Sequence, residues 1–290
     1  QYTYVGESGT GTYNITNGGV HIGSNELRVG YNVGSSGTLN ISGAGSQLTA
    51  TEMLIGKSGT GIVTVSNNGV MNGTTLNVGN DTNNGVGTLN IRNGAIVTTT
   101  SVNLEKTGSV IDLEGGTLDS SGTITIHAGT AINGYGTINQ NITNNGSMDI
   151  DGIMTYSNVI SGTGTLTKSG TGILKLSGST ANTYSGATTI NSGIVELAKN
   201  DATNALSSNV DVTGSSTLKL GANDQISDSV NITLSGGTFD LNGYSEGGTA
   251  TAGFNNLIVT DHSIINMTGD GNGFRFTGTT GSASSKNLTI

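Results

Sequence analysis

Cysteine, proline and tryptophan are all missing from this chain of 290 residues, and each absence removes a class of structure. Without cysteine there is no disulfide framework and no thiolate metal site. Proline donates nothing to a sheet ladder and is excluded from central strands, so its absence suits a chain that is nearly all central strand. Disordered chains usually bring proline and dense charge. Here charged residues are 10% and proline is zero, which argues against disorder. No apolar run approaches the roughly 18 residues of a membrane helix, and no secretory leader opens the sequence. The ten Lys and Arg run from Arg28 to Lys286 without a cluster, and the net charge is −9, so nucleic acid is not expected as a partner. The chain starts at Gln1, not Met, and both ends, 2–5 and 287–290, read as strands. A processed protein or an internal piece of a longer one is expected.

What is present is glycine, 49 residues of it, among Ser, Thr, Asn and short alternating apolar runs. The phrase Thr-apolar-Asn-apolar occurs at 12–15, 38–41 and 88–91, with 62–65 in the same place. Its last residues, Ile15, Ile41, Val65 and Ile91, are spaced by 26, 24 and 26. A second series, Val33-Gly34, Ile55-Gly56 and Val78-Gly79, steps by 22 and 23. Two strands sharing nearly one period is the signature of stacked coils. Side chains alternate across a strand, so Leu39 and Ile41 are predicted inward and Thr38 and Asn40 outward. Asn repeated one coil later would stack in ladders like those of cross-β structures.

From 94 to 161 the phrasing loosens. Val102-Leu104, Ile111-Leu113, Ile124-Ile126, Ile138, Ile142 and Met148-Ile150 are the inward candidates there. Later, Leu176, Leu197, Leu220 and Leu241 step by 21, 23 and 21, with Ile190, Val212 and Ile232 interleaved. Leu206 and Ile226 are 20 apart and suggest a brief third strand, and the tail offers Ile265-Met267 and Phe274-Phe276. The predicted fold is all-β: a right-handed parallel β-helix, about three strands per coil of roughly 20–26 residues. Roughly 12 coils rising about 4.8 Å each would make a rod on the order of 60 Å. A single continuous solenoid over 1–290 is expected.

Gly162, Gly164, Leu166, Lys168, Gly170, Gly172, Leu174, Leu176 and Gly178 precede Asn182, Tyr184, Gly186, Thr188 and Ile190, then Gly193, Val195 and Leu197. This pattern resembles the autotransporter-associated β-strand repeat of bacterial secreted and surface proteins. The segment 234–244 resembles the phrase that commonly accompanies it. On that resemblance 161–206 is the repeat, with degenerate coils over 1–160 and further coils over 207–290. The resemblance implies export across the outer membrane and an extracellular or cell-surface location. Freedom from cysteine suits threading through a secretion pore.

Parallel β-helices often act on polysaccharides, which directs attention to Asp112 with Glu114 and Asp149 with Asp151. Residues i and i+2 on a strand lie about 6.6–7 Å apart on one face, near the carboxyl separation of an inverting glycosidase. Any such pair passes that test, and Arg28, Arg92 and Arg275 are far apart in sequence, so solvated carboxylates are the preferred reading. His21, His127 and His262 share no metal-ligand spacing. Asp270 and Asn272 resemble part of a calcium loop that lacks its other ligands. Tyr2, Tyr4, Tyr13 and Tyr31 crowd the first coils, and Tyr4 with Tyr31 would form a stacking shelf for sugars, against the alternative that they cover an end or pack inside. Sequons such as those at Asn14 and Asn231 follow from the composition.

No catalytic residue, metal ligand or cofactor is therefore assigned. The expected function is a non-catalytic structural and adhesive solenoid. Its partners would be copies of itself, end to end or laterally, or other surface proteins and glycans, with no membrane insertion by this segment. A carbohydrate-binding or polysaccharide-degrading β-helix is the alternative. Neither terminus carries a helix, proline or charge block to blunt its edge, so continuation or self-association of the ends is expected.

Overall fold

A computed structural model describes residues 1–247, 253–268, 273–277, 281–282 and 288–290. The described residues are all strand and turn, with no helix, and parallel strands stack in about 11 coils to form a β-solenoid. The chain divides into two compact units, Gln1–Met148 and Asp149–Ile290.

In the first unit each coil contributes three strands, and each strand pairs in parallel with its counterpart in the next coil. One wall stacks Thr10–Thr16, Ser36–Ser42, Thr60–Ser66, Val86–Arg92 and the start of Val110–Ser120. Its register sets Asn14 against Asn40, Asn40 against Thr64, and Thr64 against Asn90. The repeated phrase is thus one wall in strict register. Leu39, Ile41, Val63, Val65, Leu89 and Ile91 are sealed in the core while Thr38 and Asn40 face outward. A second wall aligns Leu48, Met71, Val97 and Leu118, and a third aligns Leu27, Met53, Leu76, Val102 and Ile124. A single coil could not enclose these rows, since burial comes only from the neighbours above and below.

The Val-Gly series is corrected at its first member. Val33 is 85% exposed and lies outside any strand. The row is instead Val5, Val29, Ile55, Val78 and Leu104. The glycines after its first four members open corners, and Gly30 does so at φ +69°, a conformation that costs glycine little. That corner presses on the next wall. A Cβ on Gly37 would meet the Val5 carbonyl oxygen at 2.1 Å and the Gly30 nitrogen at 2.6 Å, which is why Gly-Thr pairs recur at one place in the coil. The looser stretch also packs as read, for Val102, Leu104, Ile111, Leu113, Ile124, Ile126, Ile138, Ile142, Met148 and Ile150 are all buried.

The second unit has two continuous walls and one improvised wall. Along the first, Tyr156, Leu176, Leu197 and Leu220 are in register, and Leu241 follows Asp240, the partner of Lys219. The second aligns Lys168, Ile190, Val212 and Leu234. Ile232 instead pairs with Val210, which corrects the expected Val212–Ile232 step. On the third side Leu206 and Ile226 make an isolated parallel bridge, the brief strand read from their spacing. All four phenylalanines of the chain gather near the end of this unit. Phe239 and Phe254 are fully buried, and the Phe254, Phe274 and Phe276 rings stack at about 6 Å.

Candidate functional site

The interior of the repeat holds polar side chains where other coils hold aliphatic ones. On the improvised side of the second unit the backbone has too few strand neighbours, and side-chain amides take their place. Asn182 Oδ1 accepts from the Ile160 N–H at 3.0 Å and Nδ2 donates to the Ala205 carbonyl at 2.9 Å. Gln225 Oε1 accepts from the Lys199 N–H at 2.8 Å, and Nε2 donates to the carbonyls of Asn200 and Asn223. The Glu246 carboxylate reaches the preceding coil in the same way, accepting from the N–H groups of Gln225 and Ile226 at 2.8 and 3.2 Å. Glu246 is 1% exposed, and burial pushes its pKa up to about 8.

Two lysines are interior as well. Lys199 Nζ donates to the carbonyls of Ser177 and Asn158 at 2.9 and 3.2 Å, and Lys168 Nζ donates to that of Gly170. Burial lowers the pKa of both, opposed at Lys168 by Asp151 and Asp149. The Tyr184 hydroxyl meets Thr188 Oγ1 at 2.8 Å, and Thr188 meets Ser208 at 3.2 Å. Burial pushes the Tyr184 phenol up to about 12. Lys168, Asn182, Tyr184 and Thr188 are thus the polar skeleton of a coil, tied internally and remote from solvent.

On the outer surface of the first unit, the sequence-distant candidates converge in two places. Glu114 pairs in register with Arg92, and Asp112 with Asn90. Arg92 Nη2 reaches Glu114 Oε1 at 3.1 Å and Asp112 Oδ2 at 3.4 Å. Its Nε is buried with no hydrogen-bond partner. Distance in sequence does not keep an arginine from these acids, because one coil of separation brings together residues 20 and 22 apart.

The second place is the tyrosine-rich corner. Tyr2 lies opposite Glu26 and Tyr4 opposite Arg28. The Arg28 guanidinium sits 4.4 Å from the Tyr2 ring centroid and 4.5 Å from that of Tyr31. It makes two hydrogen bonds to Glu26, at 2.6 and 2.5 Å, and one to the Tyr4 hydroxyl at 2.7 Å. Tyr4 meets Tyr31 edge to face at 5.1 Å, and Lys57 Nζ lies 4.9 Å from the Tyr31 ring. Tyr2 is 57% exposed, and Tyr4 and Tyr31 are half-buried. Tyr13 behaves differently, turning inward to bond His21 Nδ1 at 3.0 Å, with Thr3 3.3 Å from Nε2. These three fill inward positions that carry Leu27, Leu39 and Leu48 in the next coil. They border a depression of about 330 Å³.

The remaining candidates do not assemble. His127 and His262 are exposed on separate turns, and among the described residues no group of three or more His, Asp or Glu could hold a metal ion. Asp270 and Asn272 lie outside the described residues. Asp151 is exposed, whereas Asp149 is half-buried with its Oδ1 enclosed and without a hydrogen-bond partner, and both act on Lys168 by raising its pKa. Asn14 is hydrogen-bonded to Asn40 at 2.8 Å, part of the predicted amide ladder, which recurs at Asn77–Asn103 and Asn67–Asn93.

Residues 166–197 match the family model of the passenger-associated-transport-repeat. That repeat, carried on a β-solenoid, fits an autotransporter-passenger repeat protein. No curated protein and no solved structure matches the chain significantly.

Proposed function

We propose, with the passenger-type repeat as premise, that the chain is a non-catalytic structural and adhesive solenoid displayed at or released from a bacterial surface. The observation that carries this reading is the use of the repeat's polar residues. Lys168, Asn182 and Tyr184 are spent inside the coil on carbonyls, backbone amides and hydroxyls, which supports a scaffold role for them. The matched repeat implies a surface or secreted protein. Repeated outer rows, such as the amide ladder Asn14–Asn40 and the charge row Lys175–Glu196, suit multivalent contact, where many weak sites reinforce one another. Filament formation through the coil ends is an extension of the same reading. Beads coated with the purified chain should adhere to cells or to one another, and uncoated beads should not. Equal adhesion of the two would defeat the proposal.

One observation favours polysaccharide cleavage as a second reading. Arg92 lies between Asp112 and Glu114 with an orphaned Nε, a cation beside two carboxylates. Reducing-end and unsaturated-product assays on acidic and neutral polysaccharides decide between the readings. We expect no turnover, and turnover abolished by Asp112→Asn would establish the second.

A further inference from the structure

We infer that the ledge of Tyr2, Tyr4 and Tyr31 is a binding site for a neutral glycan, whose pyranose faces stack on the tyrosine rings while its hydroxyls reach the polar rows alongside. The inference rests on the adhesive reading and names its contact and ligand class.

Three features support it. First, the rings are preorganised. Arg28 lies between Tyr2 and Tyr31 and is itself held by Glu26 and the Tyr4 hydroxyl. Little side-chain freedom is then left to lose on binding, and rigid aromatic anchors with few torsions are what affinity favours. Second, apolar ring surface stays open to solvent, most of all at Tyr2 with 57% exposure. The row that begins at Tyr2 continues through Glu26 to Glu52, and the row from Tyr4 runs through Arg28 and Leu54 to Asn77. Asn77 Nδ2 donates to Glu52 Oε1 at 3.4 Å. Aromatic faces, with a carboxylate and an amide two and three coils further along the same rows, match an extended ligand with apolar C–H faces and a hydroxylated rim.

Third, the charge selects a neutral ligand. Glu26 cancels Arg28 in an ion pair, and Glu52 and Lys57 add one charge of each sign to the following coil. The whole chain carries −9, so polyanions such as nucleic acids or polyuronates gain nothing from long-range attraction.

The test is electrophoresis of the full chain through gels containing arabinoxylan, a mixed-linkage β-glucan or polygalacturonate. Titration with neutral oligosaccharides accompanies it, followed by tyrosine fluorescence, which is unobscured because the chain has no tryptophan. Retardation by a neutral polysaccharide that persists at high salt, weakened by about tenfold or more in Tyr2→Ala and Tyr31→Ala, is the expected result. Tyr135→Ala, which removes an exposed tyrosine elsewhere on the same unit, should bind as the wild type does. Far-ultraviolet dichroism of each variant verifies that the coils persist. The inference is overturned by absence of retardation in both neutral gels, by an equal loss in Tyr135→Ala, or by binding to polygalacturonate alone that salt abolishes. Bead adhesion that survives Tyr2→Ala also overturns the ledge as the adhesive contact and leaves the adhesive reading standing. Glycan binding without any bead adhesion keeps the site and removes the adhesive role.

Discussion

At the scale of single residues, the unusual groups are those a solenoid buries without an ion partner. Glu246 is the clearest case. Desolvation raises its carboxyl pKa from 4.5 to about 8, against two backbone N–H donors that favour the ionised form, with Asp224 and Asp228 adding to the rise. A folded-state pKa above the unfolded one means the native state holds the proton more tightly. The resulting stability is whole below about pH 4.5 and drains away as pH rises to about 8. Thermal unfolding should therefore show a lower melting temperature at pH 9 than at pH 5, and Glu246→Gln should flatten that dependence. A wild-type slope unchanged in Glu246→Gln would locate the effect elsewhere. Sequence offered no hint of this group, because a Glu between Ser245 and Gly247 reads as a surface turn. Only the stacking of coils closes water out.

At the scale of the element, alternation predicts which face of a strand is inward, and the register then decides what each face meets. Leu197 is sealed between Leu176 and Leu220, so Leu197→Asp would bury an unpaired carboxylate at a cost of several kcal/mol. Lys175, between the buried Leu174 and Leu176, faces outward, but it is not idle. Its Nζ lies 2.7 Å from Glu196 Oε1, and Lys219 flanks Glu196 on the other side in register. Lys175→Asp would thus set like charges opposite each other, at roughly 0.2–1 kcal/mol. Lys175→Ser is the cleaner control and should shift unfolding little. Equal melting shifts for Leu197→Asp and Lys175→Ser would refute the face assignment. Asn182→Ala makes a sharper claim about the improvised wall. It strips partners from the Ile160 N–H and the Ala205 carbonyl, each costing about 1–3 kcal/mol when left buried. Chemical denaturation should register a loss of that order, whereas an exposed Asn on a two-sided sheet would cost almost nothing. The repeat pattern marked Asn182 and Tyr184 as special. It did not reveal that they stand in for missing backbone.

At the scale of the whole molecule, each unit is a one-dimensional stack whose stability is a sum over neighbouring coils. Leu76 in the first unit touches the rows of Met53 and Val102 directly. Leu76→Ala should cost about 2–5 kcal/mol. The gain in amide hydrogen exchange should concentrate in the coils of Met53, Leu76 and Val102, and fall off along the first unit in both directions. An even rise throughout that unit would instead indicate a single all-or-none core. By itself the sequence determined the solenoid, because a period near 23, strict alternation and glycine corners admit no other way to bury the leucine and isoleucine rows. It also marked the repeat, read over 161–206 and matched by the family model over 166–197. Tertiary structure alone decided the encounters across coils. Turns of unequal length set the register, placing Val29 and not Val33 in its row and bringing Arg92 to Asp112 and Glu114, and Arg28 to Tyr2. Such contacts join residues about one coil apart, a distance at which loop length, invisible to any strand pattern, settles which side chains meet.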